Sequence, residues 1–206
     1  MSISLRSWLS FIAAFFLFAF QALAQASEHW QSAHQMTGAA KVLIDSLDEA
    51  QKKTAVFALD DASRTSWSNL PIIMAPPGGL MVSDMNAEQR IAVHELLRAS
   101  MSSQGYAKFA GIMRLEDQAH INALERLKND PDAPPAAQVF ANAYDSTNYA
   151  VSVFGEPGQK HWGWKLAGHH AAVNFTVADG RVGFTPTLLG SNPRVVKNGK
   201  NAGLWV

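Results

Sequence analysis

The sequence predicts an α+β fold, with amino-terminal helices packed against a carboxy-terminal antiparallel β-meander. Two observations point there. As far as residue 130, outside an irregular segment at 55–80, the apolar positions recur at helical spacing, whereas from about 145 to 195 the chain turns rich in Val, Phe, Thr and Trp with partial alternation. Between them "NDPDAPPAAQ" places prolines at 131, 134 and 135, which cannot sit in a helix interior. Helices followed by strands, rather than alternating with them, is the order of an α+β domain. The 206 residues suit one such domain, spanning 27–206, once a leader is removed.

The leader is residues 1–26, "MSISLRSWLSFIAAFFLFAFQALAQA". One early cation, Arg6, precedes an apolar run from Phe11 to Phe20, and Ala22, Ala24 and Ala26 offer a small-residue cleavage site, so a signal peptide and a secreted or periplasmic protein are expected. The run falls short of the roughly 20 residues a spanning helix needs, so no stable membrane insertion is expected after cleavage.

From 27 to 53, Met36, Ala40, Leu43 and Leu47 mark one amphipathic helix, with Glu49 and Lys53 four apart on its wet side. The next segment, "AVFALDDASRTSWSNLPIIMAPPGGL", has no sustained period and is punctuated by Pro71, Pro76, Pro77, Gly78 and Gly79. It reads as a long surface excursion, and such segments are often functional. Asn86 and Gln89 form a capping box opening a helix over 86–103 that stops at Gly105. A second helix is expected over 107–128, with Phe109, Ile112, Met113, Leu124 and Leu127 inward. After the proline connector come "NYAVSVFG", "HWGWKLAGHHAAVNFTVA" and "RVGFTPTLLG", separated by "EPGQK" and "ADG", as consecutive antiparallel strands.

Lys plus Arg and Asp plus Glu both number 17, and cleavage would remove only Arg6. A near-neutral chain gives no support for a nucleic-acid partner. The absence of cysteine removes thiol nucleophiles, thiolate metal sites and disulfides, so any metal ligands must be His, Asp or Glu.

The densest chemistry is "HWGWKLAGHH", residues 161–170. In an extended strand His161, Lys165 and His169 share one face, and Trp162, Trp164, Leu166 and His170 the other. Gly168 allows a bulge or a close backbone approach that turns His169 and His170 toward one pocket, where imidazoles can bind a metal or transfer protons. Glu116 and His120 lie four apart on one helix face and can complete a site or form a surface ion pair. Arg64 and Trp67, in the irregular segment, are candidate substrate-binding residues: Arg64 to clamp an anionic group, Trp67 to stack, unless Trp67 is core. "HELLR" at 94–98 nearly spells a zinc-protease motif, but Arg98 stands where the second ligand is needed. Asn174-Phe175-Thr176 fits a glycosylation sequon but reads as strand sequence.

"DDASRTSW" (60–67), "AEQRIAVHELLRASMSSQGYAKFAGIMRLED" (87–117), "YAVSVFGEPGQKHWGWKLAGHHAAVNFT" (149–176) and "TPTLLGSNP" (185–193) occur in an order that resembles a family of exported, mainly bacterial proteins, the domain-of-unknown-function family DUF3500. The W-x-W-x-x-x-G-H-H element is its specific part. The resemblance supplies no reaction. It implies a longer family domain, of which this chain would be the amino-terminal part; "NGKNAGLWV" at the carboxyl end, stopping within an apolar run, carries the same expectation.

The functional expectation is an exported metal-dependent hydrolase acting on a small molecule. His169 and His170, with His161 or Glu116, hold a divalent metal such as zinc that activates water, while Arg64 orients an anionic group. The alternative is a non-catalytic exported binding module in which Trp67 and the strand indoles form an apolar or sugar-stacking surface.

Overall fold

The computed structural model describes residues 31–197 and 202–203, and the α+β expectation holds. The signal-peptide expectation, and most of the carboxyl-terminal stretch, lie outside those residues.

The expected first helix is two. α1 runs over 31–46, the chain breaks at Leu47 and Asp48, and α2 spans Glu49–Ala55. The break is a reciprocal cap: Asp48 accepts from the Gln51 backbone N–H, and the Gln51 side chain accepts from Asp48 N–H. Lys52, not Lys53, pairs with Glu49, at 3.1 Å. α3, Ala87–Ser100, carries the expected Asn86–Gln89 box but ends at Met101. Ser102 then caps α4, Ser103–Asn129, through the Gly105 N–H, so Gly105 sits in the first turn of the next helix and does not stop the previous one. Phe109, Ile112 and Met113 are buried as expected, whereas Leu124 is exposed. The proline connector contains α5, Pro135–Ala143, with Pro135 in the first turn, where its missing N–H costs nothing.

Among the described residues the sheet has six strands. β3 (Tyr149–Phe154), β4 (His161–Gly168), β5 (Ala171–Ala178) and β6 (Arg181–Leu189) form an antiparallel meander. Two further short strands pair end to end with the outer edge of β3: β1 (Val56–Phe57), parallel, and β2 (Leu80–Met81), antiparallel. The stretch 161–178 is therefore a hairpin, not one extended strand. His169 and His170 are its two loop residues.

One face of the sheet carries Val151, Val153, Trp162, Trp164, Leu166, Val173, Phe175 and Val177, in a single apolar cluster with residues of α1, α3 and α4. The other face is covered by the irregular segment 58–79. Arg64 donates to Thr176 Oγ1 at 2.9 Å, Lys165 Nζ to the carbonyls of Ser63 and Ser66 at 2.5 and 2.8 Å, and Ser152 Oγ to Gly78 O at 2.9 Å. Further along, His170 N–H donates to Asn69 O at 3.2 Å. The segment thus runs lengthwise over β4 and β5, and its polar backbone is satisfied by side chains rising from the sheet. Among the described residues no helix is long and apolar enough to cross a membrane.

Candidate metal centre

Glu116 lies on α4 in the stripe that begins with Phe109 and Ile112, each step three or four residues on, so the helix aims it inward with them. It is 2 % exposed. A carboxylate at that depth needs partners, and the β4–β5 hairpin supplies two. His169 Nδ1 stands 2.8 Å from Oε2 and His170 Nδ1 3.3 Å from Oε1. An ionised carboxylate can only accept, so both Nδ1 atoms carry the proton in this arrangement. The rings stack with centroids 3.6 Å apart and planes 26° off parallel.

The turn is built to bring adjacent histidines to one side. In a continuing strand they would point to opposite faces; here the chain reverses at them, with His170 in the left-handed region at φ 62°. Gly168 and Tyr149 are direct cross-strand partners, and the Tyr149 ring lies against Gly168 where a Cβ would stand. The Tyr149 hydroxyl donates to His169 O at 2.6 Å, pinning the loop backbone. Burial, with Glu116 and Asp117 nearby, pushes the Tyr149 hydroxyl pKa well up, so it stays a donor. Tyr144, beyond α5, places its ring 5.7 Å from that of His169.

Burial pushes the Glu116 carboxyl up, but hydrogen bonds from His169 and His170, and their charge, outweigh it and hold the group below its ordinary value. The ionised form is thus the one the fold favours. In metal-free protein its contribution to stability is complete above the unfolded glutamate value of about 4.3, and is lost as pH falls through the lower folded value. Urea midpoints followed from about pH 6 to pH 3 should fall less steeply in Glu116→Gln than in the parent; identical slopes would show that the carboxylate is not held this way.

One donor atom from each of Glu116, His169 and His170 lies within 4.8 Å of the others. A tetrahedral zinc ion with bonds near 2.0–2.1 Å separates its ligand atoms by roughly 3.3 Å. The two imidazoles meet different oxygens of Glu116, and one donor atom from each residue spreads over as much as 4.8 Å, so an ion would draw the group together by up to about 1.5 Å. Two imidazoles and one carboxylate are a donor set that zinc accepts with a fourth position open. In front of the histidines lies a polar cleft of about 230 Å³ whose lining includes Asn122, Arg126, Tyr144 and Asn192.

Of the other expected site residues, His161 is elsewhere. It opens β4, eight residues from His169 and roughly 26 Å away along an extended strand, and its Nε2 faces Asp179 at 3.6 Å. His120 donates to or accepts from nothing in the centre: its Nδ1 meets Ala141 O of α5 at 2.7 Å, so the Glu116–His120 surface pair does not form. Arg64 sits over Thr176, five residues up β5 from the hairpin, and so does not reach the histidines. Trp67 is 40 % exposed and is not core. Trp162 and Trp164 are fully buried and cannot form an exposed stacking surface. Asn174, buried on β5, is strand sequence as expected. Arg126 was not singled out by the sequence; it lies ten residues beyond Glu116 on α4, and only the docking of the hairpin shows that both face the same cleft.

Fold and site together define an α+β protein with a buried Glu–His–His group at the tip of a β-hairpin. The chain belongs to the DUF3500 family, described as "Protein of unknown function (DUF3500)", whose profile matches residues 29–206. No curated protein and no solved structure matches it.

Proposed function

We propose that the protein is an exported metal-dependent hydrolase of a small anionic substrate, with Glu116, His169 and His170 holding a divalent ion such as zinc. The observation that carries this reading is the convergence of three donor atoms from two distant segments on one buried point beside a polar cleft. A divalent ion bound there supplies Lewis acidity and lowers the pKa of water to near neutrality. The chain's own residues do the rest. Tyr149 fixes the His169 backbone, α4 fixes Glu116, and Arg126 at the cleft wall orients an anionic group of the substrate, the part first expected of Arg64. Export rests on the leader read in residues 1–26.

The test is metal content of the purified protein and its thermal midpoint before and after chelation. An ion present at about a hundred times its dissociation constant adds roughly 2.7 kcal/mol, which moves the midpoint of a domain this size by roughly 5–10 °C. We expect near-stoichiometric metal, that shift, and loss of both in His169→Ala/His170→Ala. A double variant that still folds and retains its metal would remove the metal reading. Intact metal with no turnover across ester, amide and phosphoester panels would instead leave a metal site without hydrolysis.

A further inference from the structure

A second cleft, of about 340 Å³, opens on the sheet face covered by the irregular segment, between Arg64 and Thr65 on one side and Thr185 and Pro186 on the other. It is separate from the histidine cleft, and the two share no lining residue. Its size lies at the lower end of small-molecule sites.

Three features give it a chemistry. Arg64 lines it, and only two of the five guanidinium N–H groups are committed by the bonds described: one to Thr176 Oγ1 at 2.9 Å, one to Leu59 O at 3.4 Å. No carboxylate stands among its described lining residues, so nothing there neutralises the cation. Asn174 also lines it and is 7 % exposed. Its amide nitrogen donates to Pro186 O at 2.8 Å, which fixes the side chain, while its Oδ1 is buried with no partner among the described residues. Buried acceptors are rarely left bare, since each costs about 1–3 kcal/mol. Thr176, Thr185, Phe154, Trp164 and Phe175 also line it.

An unneutralised guanidinium beside an orphan acceptor is complementary to a molecule that carries an anion and a hydrogen-bond donor together. We propose that this cleft binds a small carboxylate bearing a hydroxyl or amino group, such as a hydroxy acid, an amino acid or a sugar acid, with the carboxylate on Arg64 and the donor on Asn174 Oδ1. β5 explains why both groups reach it: Asn174 and Thr176 are two apart, hence on one face, and the register shift between Val173 and Phe175 brings Pro186 against Asn174. The inference does not depend on the metal centre.

Calorimetric titration of the purified protein with L-lactate, L-glutamate and D-glucuronate, beside acetate and D-glucose as probes lacking donor or charge, tests it. At least one of the first three should bind, and acetate and glucose should bind about tenfold or more weakly, the scale of one lost hydrogen bond to the site. Arg64→Gln and Asn174→Leu should each remove that binding, Arg64→Lys should weaken it by losing the fork geometry, and His169→Ala/His170→Ala should leave it unchanged. The proposal is overturned if none of the three binds at about 10 mM, if binding survives either removal in a cooperatively melting variant, or if it disappears with the histidines. Should Asn174→Leu simply stabilise a parent that binds nothing, the bare oxygen is a cost of folding and not a ligand atom.

Discussion

Gly168→Ala is expected to lower stability by about 1–3 kcal/mol, the range for overfilling a packed site, and, on the proposed metal reading, to abolish metal binding in the protein that remains folded. The new Cβ would stand 2.6 Å from Tyr149 Cδ1 and 2.7 Å from Asn148 O. The second of these is backbone, at the residue just before β3, so it cannot turn aside as a side-chain tip can. Relief requires β3 and β4 to part at the very pair that precedes the histidines, and the Tyr149 hydroxyl would leave His169 O as they did. Gly190→Ala, just past β6 where the Gly190 N–H donates to His170 O at 2.8 Å, is the matched control. Its Cβ would meet nothing nearer than His170 O at 3.6 Å, so stability should stay within about 0.5 kcal/mol. Urea denaturation and metal content of the two variants check the pair; equal effects would show that the Gly168–Tyr149 contact does not position the site.

Lys165→Met should have the second large effect, a loss of about 1–3 kcal/mol, from removal of a buried ammonium's two hydrogen bonds: Ser66 O loses its Lys165 donor, and Ser63 O keeps only the Ser66 N–H. Lys165 is 2 % exposed, and its ammonium joins the sheet to Ser63 O and Ser66 O, with the Phe154 ring 5.5 Å below. Burial pushes the Lys165 pKa down, opposed by the Asp61 charge, so this group is held by its hydrogen bonds and not by a contact ion pair. Methionine keeps the apolar stem and removes only the donors. Proteolysis within 58–79 should accelerate in the variant while the helices stay protected; an unchanged cleavage rate would mean that the segment is held by other contacts.

What the sequence made legible follows the range of the interaction concerned. The Asn86–Gln89 box opens α3 because the motif is local and complete within four residues. The equivalent Asp48–Gln51 box was hidden inside an apolar period that runs through Leu47 without interruption. Two-residue strands such as β1 and β2 have no period to detect, and they exist because β3 offers an open edge. The Glu116 position was readable as a helix face, but its depth was not, because its partners lie more than fifty residues away. His169 and His170 carried no turn signature of the Asn-Gly kind. The close approach expected at Gly168 did prove to be the device that frees them from strand alternation, although the chain reverses there and does not bulge. His161 was grouped with them by proximity in sequence, and strand geometry separates it.

Because the two histidines are the whole of the hairpin loop, the protein has no slack between making its turn and placing both imidazoles on Glu116. A one-residue slip of β4 against β5 would move both imidazoles off the carboxylate at once. Glu116 joins them only when α4 docks, a contact that spans a quarter of the chain. On the proposed metal reading, ion capture during refolding should therefore lag behind hairpin formation and keep time with helix docking, which would make the ion a clock for the step at which the two halves of the chain meet.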